Sequence, residues 1–129
     1  MLQKPAVLIV EDDVFSVILL KEYLSTFDIE IQTARNGKEA ISFCVNNKPD
    51  IIITDILMPF MNGIDLMKEL KNKNPKIKFI AETAYATTEK LEEITNAGFE
   101  AIIIKPYNKK DFQKIFKDVL KTINPGDFT

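Results

Sequence analysis

The sequence predicts a single three-layer α/β/α sandwich built around a five-stranded parallel sheet. Short runs rich in Val and Ile alternate five times with longer segments whose apolar residues recur at helical spacing. Three of the short runs lack polar alternation, which is typical of strands buried on both faces of a parallel sheet. Right-handed crossovers between such strands place all their carboxyl ends at one edge, where ligands of open sheets bind.

Five apolar runs are the predicted strands. The first ends at three adjacent carboxylates in "VEDD", and the third ends at the aspartate of "IIITD". The fourth ends at a threonine, and the fifth runs into a Lys-Pro pair. In chain order the predicted strands are Val7–Val10, Ile29–Thr33, Ile51–Thr54, Ile77–Thr83 and Ala101–Ile104.

The segments between and after these runs are predicted helices. The last is the clearest, because its apolar residues form one stripe while lysines occupy much of the opposite face. Asn36 followed by Glu39 is a typical helix start, and Asn124-Pro125-Gly126 is expected to end the final helix. In chain order the predicted helices are Phe15–Thr26, Gly37–Asn46, Ile64–Asn72, Thr88–Ala97 and Lys109–Ile123.

Composition narrows the possible functions. The 129 residues suit one domain, with a core expected over about residues 6–123, and a net charge of -2 with one arginine argues against a nucleic-acid-binding domain. The lone Cys44, and the lack of a signal peptide or a long apolar run, predict a cytoplasmic, reduced protein. The absence of histidine excludes Ser-His and Cys-His nucleophile pairs and His-ligated zinc.

Carboxylates follow two of the predicted strands. Glu11 and Asp12 end the first strand and Asp55 ends the third, so these side chains converge if the two strands are neighbours. Like charges held close together are costly unless a cation lies among them, and an oxygen-only set of ligands favours Mg²⁺. The alternative is that the triplet merely solvates a turn, with Asp13 capping the next helix.

A hydroxyl and an ammonium group follow the other strands. Thr83 ends the fourth strand and Lys105 follows the fifth. Each alone could be an ordinary strand-end residue. Together with the carboxylates, they supply what phosphoryl transfer to a carboxylate requires: an acidic metal site, an aspartate nucleophile, a hydroxyl donor and a cation.

From about Val7 to Leu120 the chain resembles the receiver domains of two-component response regulators. The matching motifs, in order, are "VLIVEDD", "NGKEAI", "PDIIITDILMPFMNG", "TAYA" and "NAGFEAIIIKP", with "DF" in the last helix. The resemblance implies a flavodoxin-like, doubly wound sheet with strand order 2-1-3-4-5. It also implies a signalling domain rather than an enzyme.

The resemblance also implies roles for particular residues. Asp55 is the implied phosphoacceptor, which binds Mg²⁺ together with Asp12 and the backbone carbonyl of Leu57, while Glu11 acts mainly through metal-bound water. Thr83 is implied to hydrogen-bond the phosphoryl group, and Lys105 to pair with it. The implied phosphodonor is a histidine kinase or a histidine phosphotransfer protein. Output is implied to pass through the fourth helix, fifth strand and fifth helix, or by relay of the phosphate.

Several positions depart from the family pattern. Ile102 stands where many receivers have a switching Tyr or Phe, and Tyr107 is expected to pack beside the fifth helix instead. Asn62 replaces a commoner Asp and should preserve the helix cap. Glu82 lies in an apolar strand and is expected to reach solvent or a lysine, and Cys44 is expected in the core.

Other functions remain as alternatives. One alternative is a pseudo-receiver, which acts as a phosphorylation-independent interaction module. Such a domain would usually have lost one of the five residues whose side chains form the site, which are Glu11, Asp12, Asp55, Thr83 and Lys105. A phosphatase of the haloacid dehalogenase type would need an aspartate where Leu57 stands, and a flavodoxin-like cofactor site would need a phosphate-binding loop after the first strand. The downstream target, possible dimerisation, and the choice between a stand-alone regulator and part of a longer protein are left open.

Overall fold

The computed structural model describes residues 4–123, in which five strands alternate with five helices. The bounds agree with the predicted ones to within two residues, except at the end of the last helix. The strands are β1 Ala6–Val10, β2 Glu30–Ala34, β3 Ile51–Asp55, β4 Lys78–Thr83 and β5 Ala101–Ile104. The helices are α1 Val14–Leu24, α2 Gly37–Asn46, α3 Gly63–Lys73, α4 Thr88–Ala97 and α5 Lys109–Leu120.

The strands form one parallel sheet in the order β2-β1-β3-β4-β5, which confirms the predicted fold class. β1 lies directly beside β3, so the ends of these two strands are neighbours, as the convergence of their carboxylates requires. At the carboxyl edge, Val10 of β1 is in register with Thr54 of β3, and Asp55 of β3 is in register with Glu82 of β4.

Two apolar layers cover the sheet. On one face α2, α3 and α4 pack over strand residues that include Leu8, Ile52 and Phe79. On the other face α1 and α5 pack over strand residues that include Ile53 and Ile80. Each such buried side chain stabilises the fold by about 1.5–3 kcal/mol relative to an exposed one.

Half-buried Cys44 packs on the layer of α2, α3 and α4, in line with its predicted core position. Burial raises the pKa of its thiol.

A side chain caps the N-terminus of every helix within residues 4–123. The caps are Asp13, Asn36, Asn62, Thr87 and Asn108, and each accepts the backbone N–H three residues later. A cap of this kind stabilises a helix by about 1 kcal/mol. The predicted capping roles of Asp13, Asn36 and Asn62 are therefore confirmed.

The last helix is shorter than predicted. It ends at Leu120, because the N–H of Thr122 bonds the carbonyl of Val119 at 3.0 Å and the hydroxyl of Thr122 bonds the same carbonyl at 2.6 Å. These bonds tighten the chain into a turn, while Ile123 still packs on the core. The predicted stop at residues 124–126 lies outside the described residues. None of the helices within residues 4–123 has the length and apolar character to cross a membrane.

Candidate functional site

The candidate site lies at the carboxyl edge of the sheet, where β1 and β3 end. The N–H of Glu11 bonds the carbonyl of Ala34 at 2.9 Å, and the N–H of Ile56 bonds the carbonyl of Glu82 at 3.1 Å. These bonds continue the strand ladders one residue beyond β1 and β3. Glu11 and Asp55 are thus held by the sheet itself rather than by a mobile loop.

Lys105 lies between these two carboxylates. Its Nζ is 3.3 Å from Oε1 of Glu11 and 3.2 Å from Oδ2 of Asp55. The Lys105–Pro106 peptide bond is cis. Burial lowers the pKa of Lys105, but the carboxylates of Asp55, Glu82 and Glu11 raise it more, so the net shift is upward. The ammonium group therefore remains charged and neutralises part of the acidic cluster.

The Glu11 side chain is almost fully buried, with 1% of its surface exposed. Its burial raises the pKa, while the backbone N–H of Asp13 at 3.2 Å and the charge of Lys105 lower it. Burial, together with the charge of Asp55, outweighs these contacts, so the net shift of the Glu11 pKa is upward. An additional cation would favour its ionised form.

Only some of the predicted Mg²⁺ ligands lie close together. Glu11 and Asp55 share Lys105, whereas Asp12 and Leu57 are exposed at the rim of the site. Within residues 4–123, no three acidic, thiol or imidazole side chains already surround a common point that could hold a metal ion. The donor chemistry nevertheless fits Mg²⁺, because the carboxylates supply hard oxygen ligands and carry more negative charge than Lys105 neutralises. The magnesium site therefore stays a prediction.

Thr83 is buried at the end of β4, beside the strand that carries Asp55. Its hydroxyl accepts the backbone N–H of Tyr85 at 3.0 Å, and its carbonyl accepts the N–H of Lys105 at 2.8 Å. The backbone of Thr83 is therefore tied to Lys105. Its hydroxyl is instead engaged by the loop after β4.

The loop after β3 contains two constraints that the sequence reasoning missed. A side chain at Gly63 would clash with the backbone carbonyl of Asp55, and the N–H of Gly63 bonds the carbonyl of Ile56 at 2.8 Å. Phe60 adopts a left-handed φ of 73° with its ring exposed. The Asn-Gly pair in "MPFMNG" was the available signal for a tight approach. Nothing in the pattern marked Phe60.

Glu82 reaches neither solvent nor a lysine within the described residues, so its predicted position was wrong. Glu82 is fully buried, and its Oε2 accepts a hydrogen bond from the hydroxyl of Tyr107 at 2.7 Å. Within the described residues Oε1 has no hydrogen-bond donor. Burial raises the pKa of Glu82 to about 7, and the Tyr107 hydrogen bond and the charge of Lys105 oppose that shift. The sheet forces this position inward because β4 is a central strand.

Tyr107 packs against Phe112 of α5 with 5.6 Å between ring centroids, which confirms its predicted place. Its hydroxyl bond to Glu82 was not foreseen. Burial, followed by the charge of Glu82, raises the pKa of the phenol, so Tyr107 remains a donor. Ile102, at the position of the usual aromatic switch, packs in the opposite layer with α2, α3 and α4.

Comparison with known proteins agrees with this arrangement. Residues 7–117 match the family model described as response regulator receiver domain. The chain is 38% identical over 102 residues to the chemotaxis protein CheY of Thermotoga maritima, covering 78% of this chain and 85% of CheY. It is 34% identical over 102 residues to a cyclic di-GMP phosphodiesterase of the same organism, covering 79% of this chain but only 27% of that protein.

Among solved structures, the chain resembles a CheY-like response regulator receiver domain protein from Methanospirillum hungatei. The TM-score is 0.86 at 28% identity, and the match covers 96% of this chain and 99% of that one. The family model covers most of the chain and agrees with the observed strand order. The chain therefore belongs to the response regulator receiver domains, the signalling domains of two-component systems.

Proposed function

We propose that the domain accepts a phosphoryl group on Asp55 from the phosphohistidine of a kinase or phosphotransfer protein. The observation that carries this proposal is the ammonium group of Lys105, which lies 3.2 Å from the Asp55 carboxylate at the carboxyl edge of the sheet. A cation so close to a candidate acceptor can stabilise the charge of a phosphoryl group during transfer.

In the proposed step, a carboxylate oxygen of Asp55 attacks phosphorus and the bond from phosphorus to the donor imidazole nitrogen breaks. The imidazole leaves with the bonding pair, so no oxidant or further reactant is needed. Lys105 remains beside the transferred group, held in place by the bond from its backbone to Thr83. The Thr83 hydroxyl exchanges its contact with Tyr85 for one with a phosphoryl oxygen.

Glu11, Asp12, Asp55 and the carbonyl of Leu57 are the groups that would hold Mg²⁺. When bound, Mg²⁺ supplies neutralising charge for the phosphoryl oxygens that the single Lys105 does not provide. The nearly complete burial of Glu11 supports this assignment, because a carboxylate that bulk water does not solvate is stabilised by a nearby cation.

Exposed apolar side chains near the site support docking of a protein phosphodonor. Phe15 and Ile18 of α1 are 81% and 59% exposed, and Phe60 in the loop after β3 is 91% exposed. These residues follow the two strands that carry Glu11 and Asp55. A partner that covers them would bring its phosphohistidine to the carboxyl edge. This reaction is proposed to take place in the cytoplasm.

Output is proposed to use the face formed by α4, β5 and α5. A groove of about 420 Å³ runs between β5 and α5, lined by residues that include Ile104, Pro106 and Tyr107. Ile104 is 43% exposed there, so this face offers apolar contact to a downstream protein.

Intact-mass spectrometry after incubation with Mg²⁺ and acetyl phosphate tests the proposal. Wild type should gain one phosphoryl adduct and Asp55→Asn none, because the amide is not a nucleophile. Asp118→Asn, an exposed position on α5, is the matched control and should be labelled like wild type. Unlabelled wild type that also fails to bind beryllofluoride would favour the pseudo-receiver alternative.

A further inference from the structure

Tyr107 connects the interior of the site with the surface of the molecule. Its hydroxyl donates to the buried carboxylate of Glu82 at 2.7 Å, while its ring lines the groove between β5 and α5. Tyr107 follows Lys105 by two residues, and the backbone N–H of Lys105 bonds the carbonyl of Thr83 at 2.8 Å. Two hydrogen bonds therefore fasten the start of the β5–α5 turn to the end of β4.

Glu82 is the neighbour of Asp55 across the sheet. The two residues are in register on β3 and β4, and parallel strands lie about 4.8 Å apart. Two residues earlier, Ile53 and Ile80 are also in register and both face α1 and α5. Because side chains alternate along a strand, Asp55 and Glu82 point to that same face. A charge placed on Asp55 therefore acts directly on Glu82.

The Glu82 carboxyl has one polar contact through which it can respond. Within the described residues its Oε2 is bonded by Tyr107 and its Oε1 has no donor. A phosphoryl group on Asp55 would add about -1.5 to -2 charge beside it. Repulsion of a buried carboxylate is weakly screened, so the added charge either displaces the Glu82 carboxylate or favours its protonation, and both responses alter the hydrogen bond that it accepts from Tyr107.

We propose that the hydrogen bond between Glu82 and Tyr107 transmits the charge state of Asp55 to the groove between β5 and α5. This inference rests on the proposed phosphorylation of Asp55. It gives Tyr107 a signalling role in a chain whose Ile102 packs in the opposite layer and has no hydroxyl to contribute. Glu82 is then a positioning residue that acts through Tyr107, not a group that touches the phosphate.

The three tyrosines of the chain allow a direct test by nuclear magnetic resonance. The protein is labelled at the tyrosine ring carbon that bears the hydroxyl, and spectra are recorded with Mg²⁺ before and after addition of beryllofluoride. Tyr107→Phe assigns the Tyr107 signal. Tyr85, whose N–H bonds the Thr83 hydroxyl, reports the response of the loop after β4. The ring centroid of Tyr23 lies 6.0 Å from that of Tyr107, so Tyr23 reports general repacking of the rings around Tyr107.

In wild type, beryllofluoride should shift the Tyr107 signal strongly and the Tyr23 signal little. Glu82→Gln keeps the shape and an acceptor oxygen but removes the charge, so it should lose most of the Tyr107 shift while Tyr85 still responds. An unmoved Tyr107 in wild type, with Tyr85 shifted, would overturn the inference without any use of the variant. An equal Tyr107 shift in folded Glu82→Gln would overturn it as well.

Failure of the proposed function has a different signature. Fluorine resonance of the same samples shows whether beryllofluoride is bound to the protein. No bound signal, and no movement of any tyrosine, would remove the phosphoacceptor proposal and this inference together. A bound signal that is absent in Asp55→Asn, with Tyr107 unmoved, would remove only the inference.

Discussion

The two edges of the sheet differ in how completely they satisfy a glutamate carboxylate. At the amino edge, both oxygens of Glu100 have donors, one from Lys71 and the other from the backbone N–H of Phe79. At the carboxyl edge, Glu82 is more deeply buried, yet one of its oxygens has no donor within the described residues. A glutamate at the amino edge thus has a donor for each carboxylate oxygen, whereas a glutamate at the carboxyl edge lacks one.

The contrast extends to the neighbouring charges. Asp50 at the amino edge accepts the backbone N–H of Ala6 at 2.8 Å, whereas Glu11 and Asp55 at the carboxyl edge share the ammonium group of Lys105. Excess negative charge at the carboxyl edge attracts cations, as the proposed function requires, but it costs folding stability. Stability and function are therefore divided between the two ends of the same strands.

The largest expected effect concerns the packing beneath the carboxyl edge. Gly63→Ala forces a methyl group against the backbone carbonyl of Asp55, which cannot move without disturbing β3. We expect a loss of about 3 kcal/mol in the free energy of unfolding, measured by urea denaturation. Gly37→Ala is the matched control, because it also begins a helix but meets only the flexible side chain of Met61. Equal losses would mean that the close contact at Gly63 is easily relieved.

The second effect compares Glu82 with Glu100 directly. The folded pKa of Glu82 is raised from 4.5 to about 7, so the folded state holds this proton more tightly than the unfolded state does. Its contribution to stability is therefore present at acid pH and is lost as the pH rises from 4.5 through 7. The free energy of unfolding of Glu82→Gln, taken relative to that of wild type, should therefore rise by about 2–3 kcal/mol from pH 5 to pH 8.

Urea denaturation at both pH values, with a chelator to exclude metal ions, measures this difference. Glu100→Gln should instead lower stability at pH 8 by about 1 kcal/mol, because it weakens the ion pair with Lys71. If the free energies of unfolding of Glu82→Gln and wild type changed equally between pH 5 and pH 8, the expected cost of ionising the buried Glu82 would be contradicted.

The third effect concerns the two lysines. Lys105→Met leaves Glu11 and Asp55 without their shared cation, and about 1–2 kcal/mol of stability should be lost at neutral pH. Folding raises the pKa of Lys105 above its ordinary value of 10.5. Its contribution to the free energy of unfolding is therefore fully present below pH 10.5 and is lost as the pH rises through the higher folded-state pKa. Lys71→Met should cost less, because Glu100 retains the N–H of Phe79. Denaturation curves from neutral to alkaline pH give both values.

The smallest effect tests a departure from the family pattern. Asn62 caps α3 through the N–H of Asp65 at 2.9 Å, and aspartate accepts the same bond. Asn62→Asp should change stability by less than about 0.5 kcal/mol, while Asn62→Ala should lose about 1 kcal/mol. Thermal unfolding of the two variants side by side distinguishes a cap from a role in the acidic site.

The elements and much of the site were predictable from the sequence. Buried strands such as Ile51–Asp55 have no polar alternation, and helices such as α5 have one apolar stripe, so local pattern and global fold agree. Glu11, Asp55 and Lys105 were placed together because all follow strands of one parallel sheet. The wrong position for Glu82 arose because a charge in a strand is expected to avoid burial.

By itself the sequence determined the order of elements, the edge at which the polar residues gather and the family to which the chain belongs. Each depends on periodicity or on residues close together along the chain. Only the tertiary structure decided that one ammonium group serves two carboxylates, that Tyr107 reaches Glu82, and that the Thr83 hydroxyl is held by Tyr85. Side-chain partners distant in sequence depend on strand register and on layer packing, and no local pattern encodes those distances.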